Sequence, residues 1–331
     1  MLRPAPLLTR LALTLVFLLG LAAPAPAAAP GVRDVEGSLI EELIVSAPPL
    51  GGPAFWTVSN GPSKVYVLGV PNALPGGLRW DSRKLEARLK GANVLILPPS
   101  FRANPVKAVF FFLTNQKRFQ QGQPLESTLP EPLRGRFIAA RTALNKPADR
   151  YAKWKPAAAG LFLSQDFRGP LRMKMGEPEG WVRHEGRSAG VREQRVASYD
   201  VLPLMKTMAT MPDEAHRACL ADTLSEIEAG RGRVQAAADG WARGDVRAAL
   251  TAERGYDRCL TMIPAISALT ERSMADTANV IAAALAKPGK AVAVVELRQL
   301  LARGGVLDRL RTRGYQIQTP ADRTNAVGQY G

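Results

Sequence analysis

Two histidines, His184 and His216, and two cysteines, Cys219 and Cys259, are all the imidazoles and thiols in 331 residues. A Cys-based zinc cluster is excluded, and a His-based metal site or a Ser/His arrangement has very little to draw on. There is no G-x-S-x-G and no G-x-x-x-x-G-K-[ST]. Gly230-Arg231-Gly232-Arg233 follows a helical segment rather than a strand, so it is not a dinucleotide fingerprint. His184 stands beside Arg183 and Arg187 in a Gly-rich stretch, where fixed positive charge opposes a cation. His216, in PDEAHRACL near the start of a helix, reads as a solvated face residue. The Met-rich Leu204–Met211 stretch reads as a packed helix rather than a docking surface.

Chemistry of this kind has to be positioned by a core, and the composition provides one. Hydrophobic residues make up 46% and charged residues 22%, which is ordinary for a globular chain and excludes disorder. Arg3 and Arg10, the apolar run Leu11–Ala23 and the PAPAAAP that follows read as a secretory leader ending at residue 29. The run is about 13 residues where a membrane span needs about 20, and no Cys follows it to carry a lipid. The predicted product is an exported protein, periplasmic or secreted, with no membrane span after cleavage. Its formal charge of +15 falls by two with the leader. No cluster of Lys and Arg interleaved with aromatics occurs, so nucleic acid is not the expected partner. In an oxidising compartment two cysteines usually join, and Cys219 and Cys259 are predicted to form a disulfide that stabilises the helical region.

The elements follow from periodicity. Phe55–Asn60 and Lys64–Gly69 read as strands around a tight turn. Asp81–Ala92 reads as a helix capped by Asp81, leading into a strand over Asn93–Pro98. Strand, helix and strand at this spacing make a βαβ unit with a parallel pairing. Helical patterning then runs from Asn104 to Phe167 and from Val201 to Ala286. Between them Gly169–Gly190 reads as loop with a possible strand at Trp181–His184. Ala291–Glu296 is predicted as a buried strand, followed by a short helix ending at Gly314 and a last strand in YQIQ. Residues 320–331 read as a disordered tail. The fold class is α/β: one helix-rich domain over 30–319.

That order of landmarks resembles the TraB/GumN family, itself similar to Tiki-type metalloproteases. The resemblance rests on FWTVSNGPSKVYVLGVPNALP, on WARGD at Trp241–Asp245, on TERSMADTANVIAAAL at Thr270–Leu285 and on VAVVELRQL with RLRTRGYQI near the end. It implies a mixed central sheet with flanking helices and a helical insertion at about 201–260. It also implies a divalent metal held by two Gly-x-x-His motifs and nearby glutamates, activating water for hydrolysis.

This chain departs from that ligand set at every position. The first motif stands as Gly69-Val70-Pro71-Asn72, and the glutamate ending the next strand is matched by Pro98. Gly190-Val191-Arg192 has Arg for Glu, with Glu193 one residue out of step, and Glu296-Leu297-Arg298-Gln299 has lost both Gly and His. Asn and Gln carbonyls do not replace imidazole for a transition metal, and an arginine repels any cation. No cofactor is expected. The reading is a non-catalytic binding or scaffold protein, with a metal-dependent hydrolase using atypical ligands as the alternative and a protein partner left open. Asn72, Arg192, Arg272, Arg298 and Gln299 are expected to converge in a cationic pocket for an anionic small molecule or envelope polymer.

Overall fold

The run FWTVSN is apolar enough to be buried on both sides, and it forms strand β1 (Phe55–Asn60). Gly61, in the left-handed region at φ 55°, turns the chain into β2 (Ser63–Val70). These coordinates come from a computed structural model that describes residues 39–44, 51–251, 259 and 263–321. The leader expected over 1–29 and all but two residues of the expected tail fall outside the described residues.

The remaining strands are β3 (Ala73–Leu74), β4 (Val94–Leu97), β5 (Ser100–Arg102), β6 (Lys174–Met175), β7 (Glu193–Arg195), β8 (Ser198–Asp200), β9 (Lys290–Glu296) and β10 (Gln316–Gln318). Six of them form one mixed sheet in the order β10-β1-β2-β9-β4-β7. β1 runs antiparallel to both its neighbours, while β2, β9, β4 and β7 are mutually parallel. The two strands of the expected βαβ unit, β2 and β4, are therefore not adjacent. β9 arrives from the far end of the chain and takes the position between them, its residues 291–295 fully enclosed. A continuous apolar run suits a strand covered on both faces.

The helices before that strand are α1 (Arg83–Leu89), α2 (Pro105–Asn115), α3 (Leu125–Thr128), α4 (Leu133–Ala143) and α5 (Pro156–Arg168). They continue with α6 (Glu177–Ser188), α7 (Leu202–Met208), α8 (Asp213–Ala229), α9 (Arg231–Arg243) and α10 (Val246–Ala249). Long and short helices at Pro264–Leu285, Leu297–Leu301 and Val306–Thr312 follow among the described residues. Those last three cover one face of the sheet, packing Met274, Ile281, Leu300 and Leu310 on Trp56, Val65 and Val67. α1, α6 and α9 cover the other, with Leu85, Leu89, Val182 and Trp241 against Phe55, Leu68 and Leu95. A separate helical core joins Leu125, Phe137, Leu163, Leu220 and Leu224, so it draws on α3–α5 as well as on α8. Cys219 and Cys259 stand at disulfide distance beside it, with Cα atoms 4.7 Å apart and 40 residues between them in sequence.

Two sequence expectations change, and a third holds. Asp81 is not the N-cap of α1; Ser82 holds that position, and Asp81 accepts from the Arg83 N–H two residues on. The segment read as loop with a strand at Trp181–His184 is helix α6. Gly186 is there for close approach: a Cβ on it would stand 2.6 Å from Leu95 Cδ2, so the helix lies directly on the sheet. The Met-rich stretch forms α7 and the turn after it, and Met211 is buried beside Cys219 and Ile263 with Met208 packed against them, as a packed helix requires.

Candidate functional site

Parallel strands of an open sheet present their carboxyl ends to ligands, and here β2 and β9 end side by side at Val70 and Glu296. Gly69 is fixed by packing. A Cβ there would meet Leu297 Cδ1 at 2.6 Å and Trp56 at 3.0 Å, so the glycine lets the helix Leu297–Leu301 seat on the sheet. Its carbonyl accepts from Trp241 Nε1 at 2.8 Å, which ties α9 to the end of β2. WARGD is thus a joint: Trp241 anchors, Gly244 turns at φ 83°, and Asp245 Oδ1 caps α10 by accepting from the Ala248 N–H.

Beyond the ends of β2 and β9 lies a cleft of about 100 Å³ lined by Asn72, Arg168, Glu226, Glu296 and Arg298 among apolar neighbours such as Leu74, Val234 and Ala237. Glu296 is spoken for at its base, accepting from the Arg298 and Gln299 N–H groups at 3.1 and 2.8 Å. Arg298 donates to the Leu250 carbonyl at 2.7 Å. Arg168 donates to Glu226, a carboxylate 1% exposed, at 2.6 Å. Two guanidiniums and two carboxylates share this small space. The expected cationic pocket is instead close to charge balance, because Glu226 and Glu296 enter it with the arginines.

The structure brings together only part of the expected set. Asn72 and Arg298 do line one cleft. Arg192 does not: it directly precedes β7, so it stands at the amino end of the parallel strands, and its carbonyl accepts from Leu95 N. It borders a different depression, with Gln194, Lys287 and Lys290. Arg272 is exposed on the helix Pro264–Leu285, 3.7 Å from Asp276, whose Oδ2 also accepts from the Tyr199 hydroxyl. Gln299 turns toward that same helix, where Ser273 Oγ donates to its Oε1 at 3.4 Å. Strand direction is not written in the sequence, and the direction of β7 is what separates Arg192 from Asn72 and Arg298.

The residues present do not fit a divalent metal. Asn72 and Gln299 diverge, and the Pro98 carbonyl accepts from Arg195 Nη1 at 2.7 Å. Glu193, the one displaced glutamate, is held by Arg183 and Arg187. Burial works to raise its carboxyl, and the two guanidiniums outweigh this and keep it below the usual carboxylate range. Among the described residues no three His, Cys, Asp or Glu side chains gather so as to hold a metal ion.

His216 is the residue sequence reasoning misplaced most. It lies in the first turn of α8 but is 1% exposed, and neither ring nitrogen has a hydrogen-bond partner. Burial and the nearby Lys155 push its imidazole down to about 4, against a smaller opposite effect of Asp213. It borders an apolar cavity of about 480 Å³ walled by Phe112, Leu113, Phe162, Met205 and Met208. The Met spacing in 204–211 is the available signal: these side chains pack against the protein and also wall the cavity.

A sequence model of the TraB/PrgY/gumN family matches residues 54–319. Comparison with the curated proteins finds no match, nor does comparison with the solved structures.

Proposed function

The chain belongs to the TraB/PrgY/gumN family, and from that premise we propose that it is an exported, non-catalytic binding protein. The observation that carries this reading is the chemistry and bonding at the four positions the family resemblance matches to metal ligands. Asn72 lines the cleft, Gln299 faces Ser273, Arg192 lies at the opposite end of the sheet and Pro98 offers a carbonyl already bound to Arg195. Hydrolysis through a metal-activated water needs those positions to converge as imidazoles and carboxylates.

The cleft receives one terminal group of a ligand, a carboxylate, phosphate or uronic acid, since about 100 Å³ holds little more. Arg298 recognises the anion and the Asn72 amide adds a neutral donor, while Arg168 is held by Glu226. Glu226 and Glu296 keep the cleft from binding any small anion indiscriminately. The source of the ligand is a small molecule or polymer of the cell envelope, reached after removal of residues 1–29.

The test is calorimetry with glucuronate and inorganic phosphate on wild-type and Arg298→Gln protein, with elemental analysis of the same samples. Binding of either probe that weakens at least fivefold in the variant is the expected result. One tightly held manganese, cobalt or zinc per chain, with peptide hydrolysis, would overturn the proposal in favour of the hydrolase reading.

A further inference from the structure

Helix α2, PVKAVFFFLTN, buries a single side chain, Phe111. Val106, Val109, Phe110 and Leu113 recur at the spacing of one helix face and are 75, 59, 68 and 75% exposed. A water-facing helix surface ordinarily carries charge at such positions, and a contiguous apolar patch of this kind marks a contact with something else. The charge carried by this stretch of sequence has one sign, although the pairing of β5 with β8 sets Asp200 beside Arg102. No Asp or Glu occurs between Glu86 and Glu126. Arg102, Lys107, Lys117 and Arg118 are all exposed there and pair with no carboxylate among the described residues.

We propose that α2 docks the protein peripherally on an anionic lipid bilayer, its apolar face at the acyl boundary and Lys107, Lys117 and Arg118 among the headgroups. Interfacial helices combine these two features, and basic residues beside an apolar face add attraction to anionic lipid. The helix has 11 residues, so it lies on the surface and does not cross. Self-association fits less well. A twofold contact through this face would set Lys107, Lys117 and Arg118 against their copies, with no acid in residues 87–125 to balance them. Phe112 and Leu113 also border the 480 Å³ apolar cavity, which leaves room for an acyl chain beside the docked helix. The proposal stands independently of the ligand cleft.

The experiment is hydrogen exchange read by mass spectrometry on the full chain, with vesicles of phosphatidylglycerol and phosphatidylcholine or of phosphatidylcholine alone. Exchange over residues 101–118 is expected to slow on the anionic vesicles and to stay unchanged on the neutral ones. Reading that segment separates the effect from any lipid contact of the apolar run Leu11–Ala23. Vesicle partitioning should fall at least tenfold for Val109→Asp with Phe110→Asp, exposed positions whose change leaves the far-ultraviolet circular dichroism intact. Lys117→Gln with Arg118→Gln should lower it by about thirtyfold, at ~1 kcal/mol for each cation near the surface. Unaltered exchange over 101–118, equal partitioning of the aspartate variant, or protection that rises with protein concentration without vesicles would each overturn the proposal.

Discussion

Acidification should destabilise this protein through His216. Its imidazole is pushed down to about 4 from an ordinary 6.5, first by burial and then by Lys155, so the native state holds it neutral where the unfolded chain takes up a proton. A group depressed on folding contributes stability that is fully present above the unfolded value and is lost as pH falls through the window from 6.5 to about 4. At ~1.4 kcal/mol per pH unit the whole window is worth about 3 kcal/mol, of which roughly 2 is gone by pH 5. Carboxylates that protonate over the same range complicate the raw curve, but they are common to wild type and a His216→Phe variant and cancel in the difference. The assay is urea unfolding of both proteins at pH 7.5, 6 and 5. Wild type should lose about 2 kcal/mol more than the variant between the first and last of these. Parallel loss in the two proteins, or an imidazole proton resonance titrating near 6.5, would refute the reasoning.

Replacing Cys219 and Cys259 by Ser should cost about 4 kcal/mol at most, the chain-entropy value for a loop of 40 residues. Two free thiols in denatured, unreduced wild type would show that no bridge forms. Gly305→Ala should destabilise by about 3 kcal/mol, because the added Cβ would lie 2.4 and 2.7 Å from the backbone oxygens of Gln299 and Ala302, which cannot swing away. A midpoint within error of wild type in thermal unfolding would contradict it. Asn72→His combined with Gln299→His should create no zinc site, since the first residue lines the cleft and the second faces Ser273. Calorimetry showing tight, stoichiometric zinc binding by the double variant would disprove this. Trp241→Phe should cost about 1 kcal/mol or more for the lost bond to the Gly69 carbonyl, beyond the change in packing. Unfolding midpoints again decide.

What the sequence determined by itself is what depends on local pattern. The apolar runs in Phe55–Asn60, Val94–Leu97 and Ala291–Glu296 make strands wherever they are placed, because burying them on both faces is the only way to remove them from water. Helix periodicity located α8 and Pro264–Leu285, and the absence of imidazole at Asn72 and Gln299 is readable without any coordinates. Tertiary structure alone decided the rest. β9 inserts between β2 and β4 because long-range pairing, invisible to a local window, completes the parallel sheet. β7, Glu-Gln-Arg, has no strand pattern of its own and is held by its pairing to β4. Its direction puts Arg192 at the amino end of the strands, away from Arg298. The glycines of α6 carry a loop pattern, but close packing of the helix at Gly186 on the Leu95 side chain outweighs their poor helix propensity. His216 carries no sequence mark of burial, since a helix start beside Asp213 and Glu214 is ordinarily wet. The packing of α8 on α5 and the Met-lined wall of α7 took it out of water.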